Sequence, residues 1–147
     1  MSDIFNFYKN KKVLITGHTG FKGSWLCRIL INAGAKVTGY SLEPPTEPSL
    51  FKLAKIENDI NHIIGDIRDL DHLTKVFDEV QPEIVLHLAA QPIVRESYKN
   101  PVGTYETNVM GTVNICKCVR THECVRSFLN VTTDKVYKNN EWAWGLS

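Results

Sequence analysis

The chain has 147 residues, 43% of them hydrophobic and 22% charged, with a formal net charge of +1 at pH 7. That is the composition of one ordinary globular domain, able to bury roughly 68–70% of the surface its unfolded chain exposes. Seventeen lysines and arginines are matched by 16 carboxylates and interspersed with them, which argues against nucleic acid and against a membrane surface as partners.

The N-terminus, Met1-Ser2-Asp3-Ile4-Phe5-Asn6-Phe7-Tyr8-Lys9, is acidic and then aromatic, unlike the basic and then apolar order of a signal peptide. The longest apolar runs, such as residues 84–90, fall well short of the ~20 residues a membrane-spanning helix needs. A cytoplasmic protein is expected. Cys27, Cys116, Cys118 and Cys124 fit neither a zinc-ligand spacing nor a CxxC motif, so reduced, structural thiols and no metal site are expected.

In chain order, Lys12-Val13-Leu14-Ile15-Thr16 is a β-branched run ended by glycine. Phe21, Trp25, Leu26, Ile29 and Leu30 follow at helical spacing, and Ala33-Gly34 stops that helix. Residues 36–41 then read as a second strand, completing a βαβ unit of about 30 residues. Three prolines between Glu43 and Pro48 forbid helix and central strand alike. A short helix is expected over residues 49–56, a strand over 60–64, an amphipathic helix over 70–80 and a fully buried strand over 83–88. One long helix is expected over 97–122, capped by Ser97 or Asn100 with a break near Pro101, and a last strand over 125–131. Strands alternating with helices predict an α/β fold, a doubly wound parallel sheet of the Rossmann type. The five strands fall short of the usual six, so the fold is expected to be truncated.

The first strand runs straight into Thr16-Gly17-His18-Thr19-Gly20-Phe21-Lys22-Gly23. A pyrophosphate needs backbone N–H groups and a helix N-terminus aimed at it, and glycines allow the chain to approach it closely. Strand, glycine turn, helix and second strand in that order make residues 17–23 the candidate cradle of a dinucleotide, with Gly17, Thr19, Gly20, Phe21, Lys22 and Gly23 as cofactor-binding residues. At the end of the second strand the usual ribose-binding carboxylate has one candidate, Glu43, which either binds ribose or is merely solvated. No arginine stands there to favour a 2′-phosphate, and NAD is the expected cofactor.

The spacing Gly17-x-x-Gly20-x-x-Gly23 resembles the extended short-chain dehydrogenase/reductase family. The fuller string Gly17-His18-Thr19-Gly20-Phe21-Lys22-Gly23-Ser24-Trp25-Leu26 resembles its CDP-glucose 4,6-dehydratase branch. Further similar motifs are Gly65-Asp66-Ile67-Arg68-Asp69, His87-Leu88-Ala89-Ala90-Gln91-Pro92, Thr107-Asn108-Val109-Met110-Gly111-Thr112 and Val131-Thr132-Thr133-Asp134-Lys135-Val136-Tyr137.

The resemblance implies an NAD-dependent conversion of CDP-glucose to its 4-keto-6-deoxy product, with no net consumption of the cofactor. It places Asp66 and Ile67 along the adenine, Leu88, Ala89, Ala90 and Gln91 beneath the cofactor, and Thr107 against it from a helix. Thr133 corresponds to the hydroxyl that holds the sugar C4 oxygen and Asp134 to the acid for the C6 hydroxyl. Lys135 stands where related dTDP-glucose enzymes carry a glutamate base, and could serve as base only if its pKa were lowered. On chemistry alone Asp66 has the alternative of a turn or capping aspartate and residues 133–135 that of a polar loop, while His87 reads as a hydrogen-bonded core histidine.

The family's Tyr-x-x-x-Lys pair has one match in spacing, Tyr8 and Lys12. It precedes the first strand and so belongs at the wrong end of the sheet. The chain is therefore expected to be a single NAD-binding domain without the substrate domain, inactive alone, with apolar faces on its last strand and helix. A homodimer or a complementing C-terminal half is the expected partner. A non-catalytic NAD-binding module and a sugar-nucleotide epimerase are the alternatives.

Overall fold

The computed structural model describes residues 2–133. Five strands, β1 (Lys12–Thr16), β2 (Lys36–Ser41), β3 (Asn61–Ile64), β4 (Ile84–His87) and β5 (Ser127–Asn130), form one sheet in the order β3-β2-β1-β4-β5. All four pairings are parallel. The chain runs outward from β1 through β2 to β3 and then returns to build β4 and β5 on the other side. The reversal lies between the C-terminal ends of β1 and β4, where Thr16 pairs in register with His87, and ligands bind at such a crevice.

Alternation along β1 sends Val13 and Ile15 to one face and Leu14 to the other. The first face is covered by α2 (Phe21–Asn32) and α3 (Leu50–Leu53), closing a core of Val13, Ile15, Cys27, Leu30, Val37 and Phe51 with Ile84 and Leu86. The second is covered by α4 (Leu70–Val80) and α7 (Gly111–Thr121), around Leu14, Tyr40, Leu73, Phe77, Val85 and Ile115. Both faces of β4 are buried, as its uninterrupted apolar run requires. Leu129 of β5 lies beside Leu86 and is 54% exposed.

Several local expectations need correction. Residues 2–8, given no element from sequence, form α1 (Ser2–Tyr8). The apolar residues of α2 split into two stripes: Cys27 and Leu30 are buried with Gly23 and Ser24, whereas Phe21, Trp25 and Ile29 are exposed. The helix over 49–56 stops after one turn, capped by Ser49, because Lys55 takes a left-handed conformation and a 3₁₀ turn (Ile56–Asn58) follows. The long helix over 97–122 is broken into α5 (Val94–Lys99), α6 (Pro101–Tyr105), a π-helical turn (Glu106–Met110) and α7. The cap is Asn100, whose side chain accepts from the Gly103 amide at 2.9 Å. Ser97 is not a cap: it lies inside α5 and donates to the Val94 carbonyl.

Candidate functional site

β1 ends in a loop that only glycine permits at two points. Gly17 has φ +74°, and a Cβ there would stand 2.8 Å from the Ala89 amide nitrogen, combining left-handed strain with a backbone clash. At Gly23 a Cβ would lie 2.7 Å from the Cα of His18 and closer still to the Gly17 carbonyl oxygen, so the first turn of α2 rests directly on the loop. The N-terminus of α2 at Gly20 has no side-chain cap and no acidic residue in its first turn. Its amides and partial positive charge are thus left for an external anion. Phe21 and Lys22 are exposed beside it.

Beneath the loop lies a polar lattice. His18 is fully buried, with Nε2 2.7 Å from His62 Nδ1 and Nδ1 3.0 Å from Ser41 Oγ. The Thr19 hydroxyl is 2.9 Å from Ser41 Oγ and from the Leu42 carbonyl, so this side chain is committed to the end of β2. Burial, with His62 adding to it, pushes the His18 pKa down to about 4. Glu43, the candidate ribose carboxylate, is exposed in the proline segment.

At the crevice, Thr16 Oγ1 accepts from the amides of Leu88 and Ala89, each at 3.2 Å, and is 2.6 Å from His87 Nδ1. With its acceptor positions taken, the hydroxyl donates to His87 Nδ1. The imidazole proton therefore sits on Nε2 and is given to Thr112 Oγ1 at 3.2 Å. Thr112 donates in turn to the Asn108 carbonyl at 2.8 Å. Asn108 clamps Gln91 from both sides: its Oδ1 accepts from the Gln91 amide at 2.7 Å and its Nδ2 donates to the Gln91 carbonyl at 3.0 Å. This chain of bonds joins β1, β4, the segment 88–91 and the π-helical turn that carries Thr107 and Asn108. His87 is the hydrogen-bonded core histidine expected from sequence, and burial holds its pKa down at about 4.

The histidine shifts predict a pH dependence. Unfolded, each imidazole binds a proton near 6.5, while folded His18 and His87 do so only near 4. Between these values the unfolded chain holds more protons, so their contribution is complete above pH 6.5 and lost as pH falls towards 4. Urea titrations should show about 2 kcal/mol less stability per histidine at pH 5 than at pH 7, a difference that shrinks when His87 is replaced by glutamine. Equal stability at the two values would contradict the assignment.

At the C-terminal end of β3, Asp66 accepts from the amide of Arg68 at 2.9 Å and from its guanidinium at 2.6–3.0 Å. The turn aspartate read from chemistry alone is therefore present. The Arg68 hydrogen bonds hold the Asp66 carboxyl below its usual range. Ile67 is buried, with its carbonyl accepting from Asn114 Nδ2 at 3.0 Å. Asp66, Arg68, Leu70, Glu106 and Met110 help to line an open cavity of about 530 Å³.

Leu88, Ala89, Ala90 and Gln91 therefore lie at the crevice, and the glycine loop lies beside it. Thr133 is exposed just beyond β5, while Asp134 and Lys135 lie outside the described residues. Lys12 opens β1 at the opposite end of the sheet, which removes the Tyr8/Lys12 spacing from the site. Sequence reasoning missed His18, His62, Asn108 and Thr112. The available signal was polar side chains recurring in otherwise apolar segments.

The model of the GDP-mannose 4,6 dehydratase family matches residues 14–141. The chain belongs to that family. Among its relatives, the CDP-glucose 4,6-dehydratase of Salmonella typhimurium is 50% identical over 140 residues, covering 95% of this chain and 39% of the relative. The chain spans about two fifths of the length of the curated relatives it matches. An epimerase from Methanothermobacter thermautotrophicus superposes with a TM-score of 0.71 at 30% identity, over 86% of this chain and 36% of the other. The UDP-glucose 4-epimerase of Brucella ovis, solved in complex with NAD, gives 0.66 at 26% identity, over 80% and 35%. Among the described residues, no helix is long and apolar enough to cross a membrane.

Proposed function

We propose that this member of the GDP-mannose 4,6 dehydratase family is the NAD-binding part of a CDP-glucose 4,6-dehydratase, and that these 147 residues bind the cofactor without turning over the sugar nucleotide. The observation that carries the reading is the glycine turn at residues 17–23, packed so tightly on the backbone of 88–89 and on itself that no Cβ fits at Gly17 or Gly23, leading into an α2 N-terminus without a cap. The 50% identity to the Salmonella enzyme favours CDP-glucose over other sugar nucleotides.

In this reading the first-turn amides of Phe21, Lys22 and Gly23 face the pyrophosphate, while Gly17, Thr19 and Gly20 shape the turn and keep bulk out of its path, the Gly17 and Gly20 amides being bonded to the Tyr40 and Gly17 carbonyls. Asp66 and Ile67 receive the adenine, because the β1-α2-β2-β3 half is the mononucleotide unit that takes the adenosine end. Leu88, Ala89, Ala90, Gln91 and Thr107 form the floor and wall beneath the rest of the cofactor. NAD, when bound, supplies a hydride acceptor and donor at the sugar. Thr133 holds the C4 oxygen, Asp134 gives a proton to the C6 hydroxyl as it leaves, and Lys135 adjoins them. The sequence has no Tyr-x-x-x-Lys spacing other than Tyr8 and Lys12, so a pair to deprotonate the C4 hydroxyl is missing from these residues, which is the ground for expecting no turnover. It would be supplied by a complementing C-terminal half, and the exposed Leu129 is a surface such a half could cover.

Calorimetry with NAD, followed by incubation with NAD and CDP-glucose, tests both parts. The expected result is saturable NAD binding and no 4-keto-6-deoxy product. Failure to bind NAD refutes the first part, and product formation by the chain alone refutes the second. Because the solved relatives above are epimerases, UDP-glucose belongs in the same assay as a competing substrate. Its conversion to a 4-epimer would favour that alternative.

A further inference from the structure

The carboxylate assigned to the adenine is not free. Arg68 donates to Asp66 Oδ1 from its amide at 2.9 Å and from Nε at 3.0 Å, and to Oδ2 from Nε at 2.9 Å and Nη2 at 2.6 Å. A carboxylate offers about four lone-pair positions, so one residue occupies nearly all the accepting capacity of Asp66. An incoming amino group must displace the guanidinium. A second acceptor lies close by: Glu106 Oε2, on the π-helical turn across the cavity, is 3.6 Å from Arg68 Nη1. Arg68 and Glu106 are both exposed, and Leu70 and Met110 supply apolar wall to the same cavity.

We propose that Arg68 is an internal competitor for the adenine amino group, released from Asp66 and received by Glu106 when the dinucleotide binds. The proposal rests on the reading of Asp66 as the adenine ligand. Its consequence is specific to the 6-amino group. A purine with a 6-oxo group can accept from the guanidinium where it stands and has no need to move it. The Arg68–Asp66 contact thus lowers the preference for adenine over hypoxanthine, and Glu106 restores part of that preference by giving the guanidinium somewhere to go.

The test compares NAD with nicotinamide hypoxanthine dinucleotide, which carries the same charge and differs only in its 6-substituent and the proton that N1 gains with it. Both are titrated calorimetrically into the full 147-residue chain. Taking the ratio of affinities cancels the loss of arginine's charge. Arg68→Ala should raise the preference for NAD about two- to fivefold, the size of an exposed ion pair. Arg68→Gln, which keeps much of the stem, should do the same. Glu106→Gln should lower the preference in the wild-type background and leave it unchanged beside Arg68→Ala, because the residue it receives is gone. Asp66→Asn should abolish the preference. An unchanged or reduced preference in both Arg68 variants overturns the competitor. If the wild-type chain binds neither dinucleotide, the proposed function falls and the competitor with it.

Discussion

Gly23→Ala is expected to abolish dinucleotide binding and to destabilise the whole domain, while Gly20→Ala leaves the fold intact and loses binding alone. The two glycines are three residues apart in one loop, yet their surroundings differ. At Gly23 the added methyl meets the Gly17 carbonyl and the His18 Cα, both backbone, so no side-chain rotation relieves the overlap. Separating α2 from the loop would also pull Cys27 and Leu30 out of the first core. Overpacking of this kind costs ~3 kcal/mol or more, a large part of the roughly 5–15 kcal/mol that holds a domain folded. At Gly20 the nearest atom to a new Cβ is the Gly17 carbonyl oxygen at 3.4 Å, ordinary contact for a folded protein. A methyl there would stand in the path proposed for the pyrophosphate at the helix N-terminus, so NAD affinity should fall by about tenfold or more with an unchanged thermal midpoint. Equal binding losses with equal midpoints in the two variants would contradict this division.

Thr16→Val should cost about 3 kcal/mol of stability and weaken NAD binding as well, although it changes neither the volume nor the β-propensity of β1. The hydroxyl is the sole side-chain acceptor for the amides of Leu88 and Ala89 and the donor to His87 Nδ1, in a residue with no exposure to solvent. Removing it leaves the Ala89 amide and His87 Nδ1 without that partner, while the Leu88 amide keeps the Thr16 carbonyl, at about 1–3 kcal/mol for each group fully stranded. The segment 88–91 is then tied to β1 only by the bond from the Leu88 amide to the Thr16 carbonyl, and beyond that by Asn108. Thr16→Ser keeps the hydroxyl and should recover most of both losses. Urea denaturation and calorimetric titration of the three proteins decide the matter. A valine variant as stable as wild type would show that the network is incidental to the crevice.

Much of this molecule was legible in the order of its residues. β1, β2 and α4 fall on or within one residue of the expected bounds. Period-two and period-3.6 patterns report burial directly, and Ala33-Gly34 stands where α2 needs a stop. The glycine loop was legible because its neighbours are covalent: strand, turn and helix follow one another without intervention. Over residues 97–122 the same reasoning anticipated the break near Pro101 and the Asn100 cap but not the separate α5 or the π-helical turn. An apolar period runs through the whole stretch, but Asn100 and Pro101 break it and the π-helical turn is needed to bring Asn108 to Gln91. On α2, periodicity marked Phe21, Trp25 and Ile29 as readily as Cys27 and Leu30, and only the position of the sheet decides which stripe is buried.

What the sequence alone determined is therefore the set of elements, their parallel α/β arrangement and the phosphate loop with its family resemblance, since each depends on contacts within a few residues or on a repeated pattern. Tertiary structure alone decided which polar groups meet. His18 reaches His62 across 44 positions, Thr16 reaches His87 across 71, and Arg68 reaches Glu106 on a separate helix. No local rule encodes those pairings. They follow from the reversal of strand order beside β1, which brings the ends of distant strands together, and from the cost of leaving a buried polar atom unpaired, which selects among the neighbours so assembled.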